Sequence, residues 1–319
     1  SSKGFLYSTS SRPGRELISY LVLMDNVAAF LRYLTAEKNY SVHTRRAYQK
    51  DLDDFMWHCT THYQLSNLTK VHYAMVRDFV ISLSKRGLSM RSINRKCVTL
   101  NSFYNYLRTI GAIDTNPLAK HKSLKAKKSF IVPFSVAEVD RALKEIDRST
   151  FSGIRDATAI ELLYTTGMRQ AELIGLKLSD IDWSQQQIRV LGKRNKERIV
   201  PILPSFMTTL KSYSEQRKSI QKAPTHNFLL VTDKGKKTYP SFVYRLIKSY
   251  FGKVSSKIRT SPHVLRHSFA THMLDAGADI NVVKEILGHE SLAATQEYTK
   301  VQLPKVQDAY RAAHPRAKK

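Results

Sequence analysis

Gln187-Ile188-Arg189-Val190-Leu191 and Arg198-Ile199-Val200-Pro201-Ile202 alternate apolar and polar side chains, and Gly192-Lys193-Arg194-Asn195-Lys196-Glu197 lies between them. Alternation of period two marks half-buried strands, and a polar, turn-rich break between two such runs marks a hairpin. Helical periodicity flanks the hairpin on both sides. It covers Ala137–Ile146 and Arg155–Thr166 upstream, then Ser205–Lys218, Ser241–Phe251, Pro262–Asp275, Ile280–Leu287 and a last helix from Ser291. The region 134–300 is therefore expected to be a mostly helical α+β domain with a small antiparallel sheet.

Ahead of it the pattern is helical. Asp25 precedes the stripe Val27, Phe30, Leu31 and Leu34. Ser41 opens a second segment, Thr69 a third that Gly87 closes, and Ser89 a fourth that stops at Gly111. Ser, Thr and Asp before a periodic run, with glycine after it, are the expected helix boundaries. A four-helix domain over 25–112 follows, so the fold class is mainly α in two domains. The joint 113–133 carries Pro117 and Pro133 with Lys120, Lys122, Lys125, Lys127 and Lys128, against the single acid Asp114. It reads as a linker kept extended by self-repulsion or, preferably in so basic a chain, as a segment laid across a phosphate backbone. Residues 1–16 lack periodicity, and 1–24 are set apart as a flexible arm or non-native leader; 301–319 form a C-terminal tail.

The composition narrows the class. A length of 319 residues suits about two domains, and a hydrophobic fraction of 42% excludes wholesale disorder. The longest clean apolar stretch, Leu17–Met24, falls far short of the ~18 residues needed to span a bilayer, and no signal-peptide pattern opens the chain. Two cysteines, Cys59 and Cys97, cannot build a disulfide framework or a four-cysteine zinc site. A soluble, reduced, cytoplasmic protein is expected. The net charge of +26 and pI near 10.0 call for a polyanion. Nucleic acid comes first, ahead of an acidic membrane surface or a merely solvated basic surface.

Four local signals lie in the second domain. In Thr166-Gly167-Met168-Arg169-Gln170-Ala171-Glu172-Leu173, Gly167 ends a helix, Arg169 starts the next, and Glu172 follows one turn on. A carboxylate so placed fixes a guanidinium, for a phosphate or simply for a structural ion pair. Lys193 sits at the hairpin tip. In Ser261-Pro262-His263-Val264-Leu265-Arg266-His267, the cap and first-turn proline open a helix with His263 and Arg266 on one face. His267 and His272 raise zinc, but no His-Glu-x-x-His pattern or suitably spaced carboxylate supports it. Leu287-Gly288-His289-Glu290 is a helix stop, and Tyr298 follows. Each signal has a bland reading alone. Together Arg169, Lys193, His263, Arg266, His289 and Tyr298 make a set for phosphoryl transfer without metal or cofactor. Two guanidiniums stabilise the developing charge. A phenol of pKa near 10 attacks with help from a base such as His263, and Lys193 protonates the leaving alkoxide.

The order and spacing of these residues resemble the tyrosine recombinase (phage integrase-type) family, and within it the bacterial XerC/XerD group, over roughly Asn26 to Ala317. Thr166-Gly167-Met168-Arg169-x-x-Glu172-Leu173-x-x-Leu176 resembles the family's first arginine box, and Gly192-Lys193-x-Asn195-Lys196-Glu197-Arg198-x-Val200-Pro201 its hairpin lysine segment. His263-x-x-Arg266-His267-Ser268-Phe269-Ala270-Thr271, with Leu287-Gly288-His289 through Tyr298, resembles the second box. Tyr40-Ser41-x-x-Thr44-x-x-Ala47-Tyr48 and Arg91-Ser92-Ile93-Asn94-Arg95-Lys96 look like core-binding helices, and Ala313-His314-Pro315-Arg316-Ala317 like a Xer terminus.

The resemblance implies a site-specific recombinase acting on double-stranded DNA without metal or ATP. Tyr298 would form a 3′-phosphotyrosine, and strands would exchange through a Holliday junction in a homo- or heterotetramer. Arg169 and Arg266, aided by His263 and His289, would clamp the phosphate. Base readout would fall to Thr44, Arg45, Arg91, Asn94 and Arg95, with the joint lysines on the backbone. The tail Val301–Pro315 would dock on a neighbouring protomer, or pack in cis. A nucleoid location, resolution of chromosome or plasmid multimers, and an activating translocase or accessory protein complete the expectation. Alternatives are a mobile-element integrase, a type IB topoisomerase and a catalytically silent DNA-binding protein.

Overall fold

A computed structural model describes residues 26–65, 67–125, 131–192, 196–220, 226–257, 260–288 and 302–317. The expected arm, Lys127 and Lys128, the hairpin tip with Lys193, and the segment holding His289 and Tyr298 lie outside these residues. The chain divides into two compact units, 1–128 and 129–319. Both are mostly helical, with one small sheet in the second.

The first unit packs α1 (26–36), α2 (Val42–Tyr63), α3 (Tyr73–Lys85) and α4 (Met90–Thr109) around Phe30, Leu52, Phe55, Phe79, Leu100 and Phe103. Ser41 and Ser89 cap α2 and α4, their hydroxyls accepting from the amides of Thr44 and Ser92. The third helix departs from expectation. Asn67 takes the Thr69 amide and hydroxyl at 2.9 and 2.8 Å, holding Leu68–Lys70 in a 3₁₀ turn. Asn and Thr side chains compete for local backbone partners, and α3 starts only after His72.

Residues beyond α4 belong to this unit rather than to a free linker. Asn116 donates to Asn101 and Asn105 of α4 at 2.8 and 2.9 Å. Leu118 is buried, and the Asn94 side chain clamps the backbone of Leu124 from both sides, at 2.8 and 2.9 Å.

The second unit is built on α6 (Phe151–Thr166), buried around nearly its whole circumference and packed by α8 (Pro204–Lys218) and α10 (Pro262–Asp275). Around it lie α5 (Val136–Lys144), α7 (Gln170–Gly175), α9 (Pro240–Val254) and α11 (Ile280–Leu287). The expected hairpin is β2 (Gln187–Leu191) paired antiparallel with β3 (Glu197–Pro201). A two-residue β1 (Ile181–Asp182), too short to alternate, completes the sheet β1-β2-β3. The bounds of α10 and α11 are those read from the sequence.

Near the C-terminus, α12 (Gln302–Ala313) packs on α10 and α11 of its own chain. Tyr310 is fully buried and donates to the Thr165 carbonyl at 2.7 Å. His314 is buried among Tyr164, Phe269 and Tyr310.

Candidate functional site

The last turn of α6 sets the site. Gly167 caps it in the left-handed region at φ +59°. A Cβ there would lie 2.5 Å from Phe269 and 2.7 Å from Leu287, so only glycine lets the helix end against α10 and α11. The carbonyl thus presented accepts from Arg266 Nη1 at 2.5 Å, and Arg266 Nη2 donates to the Leu287 carbonyl at 2.7 Å. The Arg266 side chain is buried, and its pKa is pushed down to about 10, by burial first and then by the charge of Arg169. A cation drawn into the interior and hydrogen-bonded to two backbone carbonyls is poised to receive an anion.

Arg169 stands at the N-cap of α7. Its guanidinium donates to Glu172 Oε1 and its amide to Glu172 Oε2, both at 2.8 Å. The pair is buried on one side only: the Glu172 side chain is 5% exposed but that of Arg169 is 43% exposed. Outward exposure with a fixed base suits a side chain that must meet a ligand.

A third arginine enters the same network, one that sequence reasoning quoted within a motif but gave no role. Arg198 of β3 donates through Nη2 to Glu172 Oε2 at 2.8 Å and through Nε to the Ile286 carbonyl at 2.7 Å. The signal was available. Arg198 pairs across the ladder with the buried Val190 and shares the inward face with Val200, and an arginine on a core-facing strand position needs a partner. Burial alone would raise the Glu172 carboxyl. The hydrogen bond and charge of Arg198, with the amide and guanidinium of Arg169, override it and hold the group below the usual carboxylate range.

Two guanidiniums thus grip one carboxylate while the third, that of Arg266, feels its charge without touching it, and Arg198 and Arg266 seize consecutive carbonyls, Ile286 and Leu287, at the end of α11. Cations at a helix C-terminus gain from its partial negative charge. Gly288 follows in the left-handed region at φ +62°, and a Cβ there would sit 3.4 Å from Arg198. His263 is exposed on the first turn of α10, one turn before Arg266. His267 is exposed, whereas His272 is half-buried with Nδ1 2.8 Å from the Tyr164 hydroxyl. Among the described residues no group of three or more His, Cys, Asp or Glu is placed to hold a metal ion.

In the first unit Arg45, Arg91 and Arg95 are exposed, as are Lys120, Lys122 and Lys125. Arg95 nevertheless pairs with the fully buried Asp51, which also accepts from Lys96 at 3.0 Å and Thr99 at 2.9 Å. Thr44 hydroxyl shares a hydrogen bond with Ser41, and the Asn94 amide is taken up by Leu124. Arg45 and Arg91 are therefore the freer of the expected readout residues. Among the described residues no helix is long and apolar enough to cross a membrane.

Comparison with known proteins bears on this geometry. Residues 133–303 match the Phage integrase family, and residues 27–111 match the Phage integrase, N-terminal SAM-like domain. The chain is 36% identical to tyrosine recombinase XerC of Staphylococcus aureus over 91% of its own length and 97% of the relative's. It is 32% identical to tyrosine recombinase XerD of Listeria innocua, covering 92% and 99%. Its fold is similar to that of the XerH site-specific recombinase bound to difH substrate, with TM-score 0.64 and 19% identity over 94% of this chain and 90% of that one. The Tn1549 transposon integrase in complex with circular intermediate DNA gives 0.66 and 20%, covering 88% and 98%. With its paired arginine boxes, core hairpin and helical first domain, the chain belongs to the phage integrase family, the tyrosine recombinases.

Proposed function

We propose that this protein is a site-specific DNA strand transferase of the Xer type. It cleaves and rejoins double-stranded DNA through a 3′-phosphotyrosine on Tyr298, needs neither metal nor ATP, and exchanges strands through a Holliday junction within a tetramer. Arg169 and Arg266 hold the non-bridging oxygens of the scissile phosphate, His263 and His289 assist, and Lys193 protonates the departing 5′-oxygen. Retaining the phosphodiester energy in the tyrosyl link allows religation without a cofactor. The basic first unit, the joint lysines and the net charge of +26 supply the phosphate contacts. Its role is then resolution of chromosome or plasmid multimers, with a translocase or accessory protein setting the order of exchange.

The observation that carries the reading is the convergence of Arg169, Arg198 and Arg266 around Glu172, three cations against one anion beside the glycines that end α6 and α11. Such a site is electrostatically incomplete without a phosphate. The test begins by selecting bound DNA from a random library, then incubates a nicked suicide substrate of that site with protein in EDTA. Wild-type protein should give a covalent adduct on a denaturing gel, and Tyr298→Phe should bind equally and give none. An adduct with Tyr298→Phe would refute the assignment. Exchange between direct repeats of the site would favour multimer resolution, and exchange only with element ends an integrase.

A further inference from the structure

We propose that Arg198 is a positioning residue for the phosphate clamp, aligning Arg169 through Glu172 and the end of α11 through the Ile286 carbonyl; this rests on the strand-transferase reading. Arg198 is placed to serve both arginine boxes at once. Its Nη2 takes the same oxygen, Oε2, that accepts the Arg169 amide, at 2.8 Å each. That leaves Oε1 to the Arg169 guanidinium, also at 2.8 Å. Its Nε takes the carbonyl immediately before the one that Arg266 Nη2 takes, at 2.7 Å each. The side chain is 10% exposed against 43% for Arg169, so it braces rather than presents itself. Only a planar fork can span a carboxylate and a carbonyl in two directions, so lysine cannot replace it.

The consequence is specific. Losing Arg198 lets Glu172 turn and the Arg169 guanidinium wander, which disturbs the stabilisation of charge on the phosphate but not the delivery of a proton to the leaving oxygen. Small displacements of this kind cost about 10²-fold in rate. The experiment measures single-turnover cleavage by full-length Arg198→Gln and Arg198→Lys on the selected site, with affinity and melting temperature recorded in parallel. It uses three substrates: normal DNA, a scissile methylphosphonate that carries no charge on its non-bridging oxygens, and a 5′-phosphorothiolate whose leaving group needs no proton. Both variants should bind within about threefold of wild type and cleave normal DNA about 10²-fold more slowly. The deficit should shrink to about tenfold or less on methylphosphonate, where the clamp has less charge to stabilise, and persist on phosphorothiolate. Should Arg198→Gln not fold, Arg198→Lys carries the same comparison. A wild-type rate in a folded variant, or an equal deficit on all three substrates, would overturn the assignment while leaving the recombinase reading intact. Failure of wild-type protein to form an adduct on any selected site would overturn both.

Discussion

Replacing Glu172 with glutamine keeps the shape of the side chain but removes the charge that three arginine contacts depend on. Glu172 is 5% exposed and Arg198 10% exposed, so this is a nearly buried pair whose surviving cation would be stranded. Breaking such a pair by removing one partner costs about 3–5 kcal/mol. Arg198 keeps its bond to the Ile286 carbonyl, which argues for the lower end. Arg169 is 43% exposed, so solvent screening holds its share to about 1 kcal/mol or less. The expected loss is therefore about 3 kcal/mol. A domain the size of the second unit moves about 2–4 °C per kcal/mol, so its melting temperature should fall by roughly 6–12 °C. The pH dependence has a definite sign. The Glu172 carboxyl is held below its ordinary value, so its contribution is complete above the unfolded pKa of about 4.3 and is lost as pH falls through the folded value. Calorimetry should thus show a constant gap between wild type and Glu172→Gln from pH 6 to 8, closing toward pH 3. A shift of less than about 1 °C at neutral pH, or a gap that widens in acid, would refute the reasoning.

Three further tests address other parts of the chain. Burial pushes the pKa of His314 down to about 3, so the unfolded chain binds the extra proton between there and about 6.5; stability should fall with pH below 6.5 by at most about 1.4 kcal/mol per unit. Urea melts of His314→Gln at pH 5 and 7 should show a shallower acid loss, with the half-buried His272, whose pKa burial also lowers, retaining part of the slope. An unchanged slope would count against the assignment. Asp51→Asn should cost the first unit about 1–3 kcal/mol, because a fully buried carboxylate that accepts from Arg95, Lys96 and Thr99 loses its charge while Lys96 keeps only Asp54; amide exchange in α2 and α4 at the wild-type rate would contradict it. Lys193→Ala should cleave normal DNA about 10²–10⁴-fold more slowly, with most of the loss recovered on a 5′-phosphorothiolate, whose thiol has a pKa near 8.5; absence of recovery would remove Lys193 from the acid role.

Much of this fold was legible because its boundaries are written in short-range chemistry. Ser41 and Ser89 cap their helices through their own hydroxyls, and Gly111, Gly167 and Gly288 stop helices at positive φ. The hairpin was legible from its alternation. Thr69 misled because Asn67, two residues earlier, captured it in a separate turn. The strand β1 was illegible because two residues carry no period. At the site, Arg169, Glu172 and Arg266 were visible through spacing, whereas the role of Arg198 depends on a contact 26 residues back and another 88 residues on. Asn94 shows the converse. The resemblance made it a readout candidate, and only the fold shows that a segment 30 residues on also engages its side chain.

The burial of Tyr310 and His314 changes what shortened versions of this protein can reveal. Both rings fill space beside Phe269 and Tyr164, and Arg316 reaches Asp140 at 3.3 Å beyond them. Cutting the chain ahead of Tyr310 would excavate the catalytic half, at a cost of about 3–5 kcal/mol for one large aromatic alone. Loss of activity in a clipped protein would then report a collapsed interior before it reported a missing handshake between subunits. Exposed positions such as Arg311, altered one at a time, are where that question can be asked cleanly.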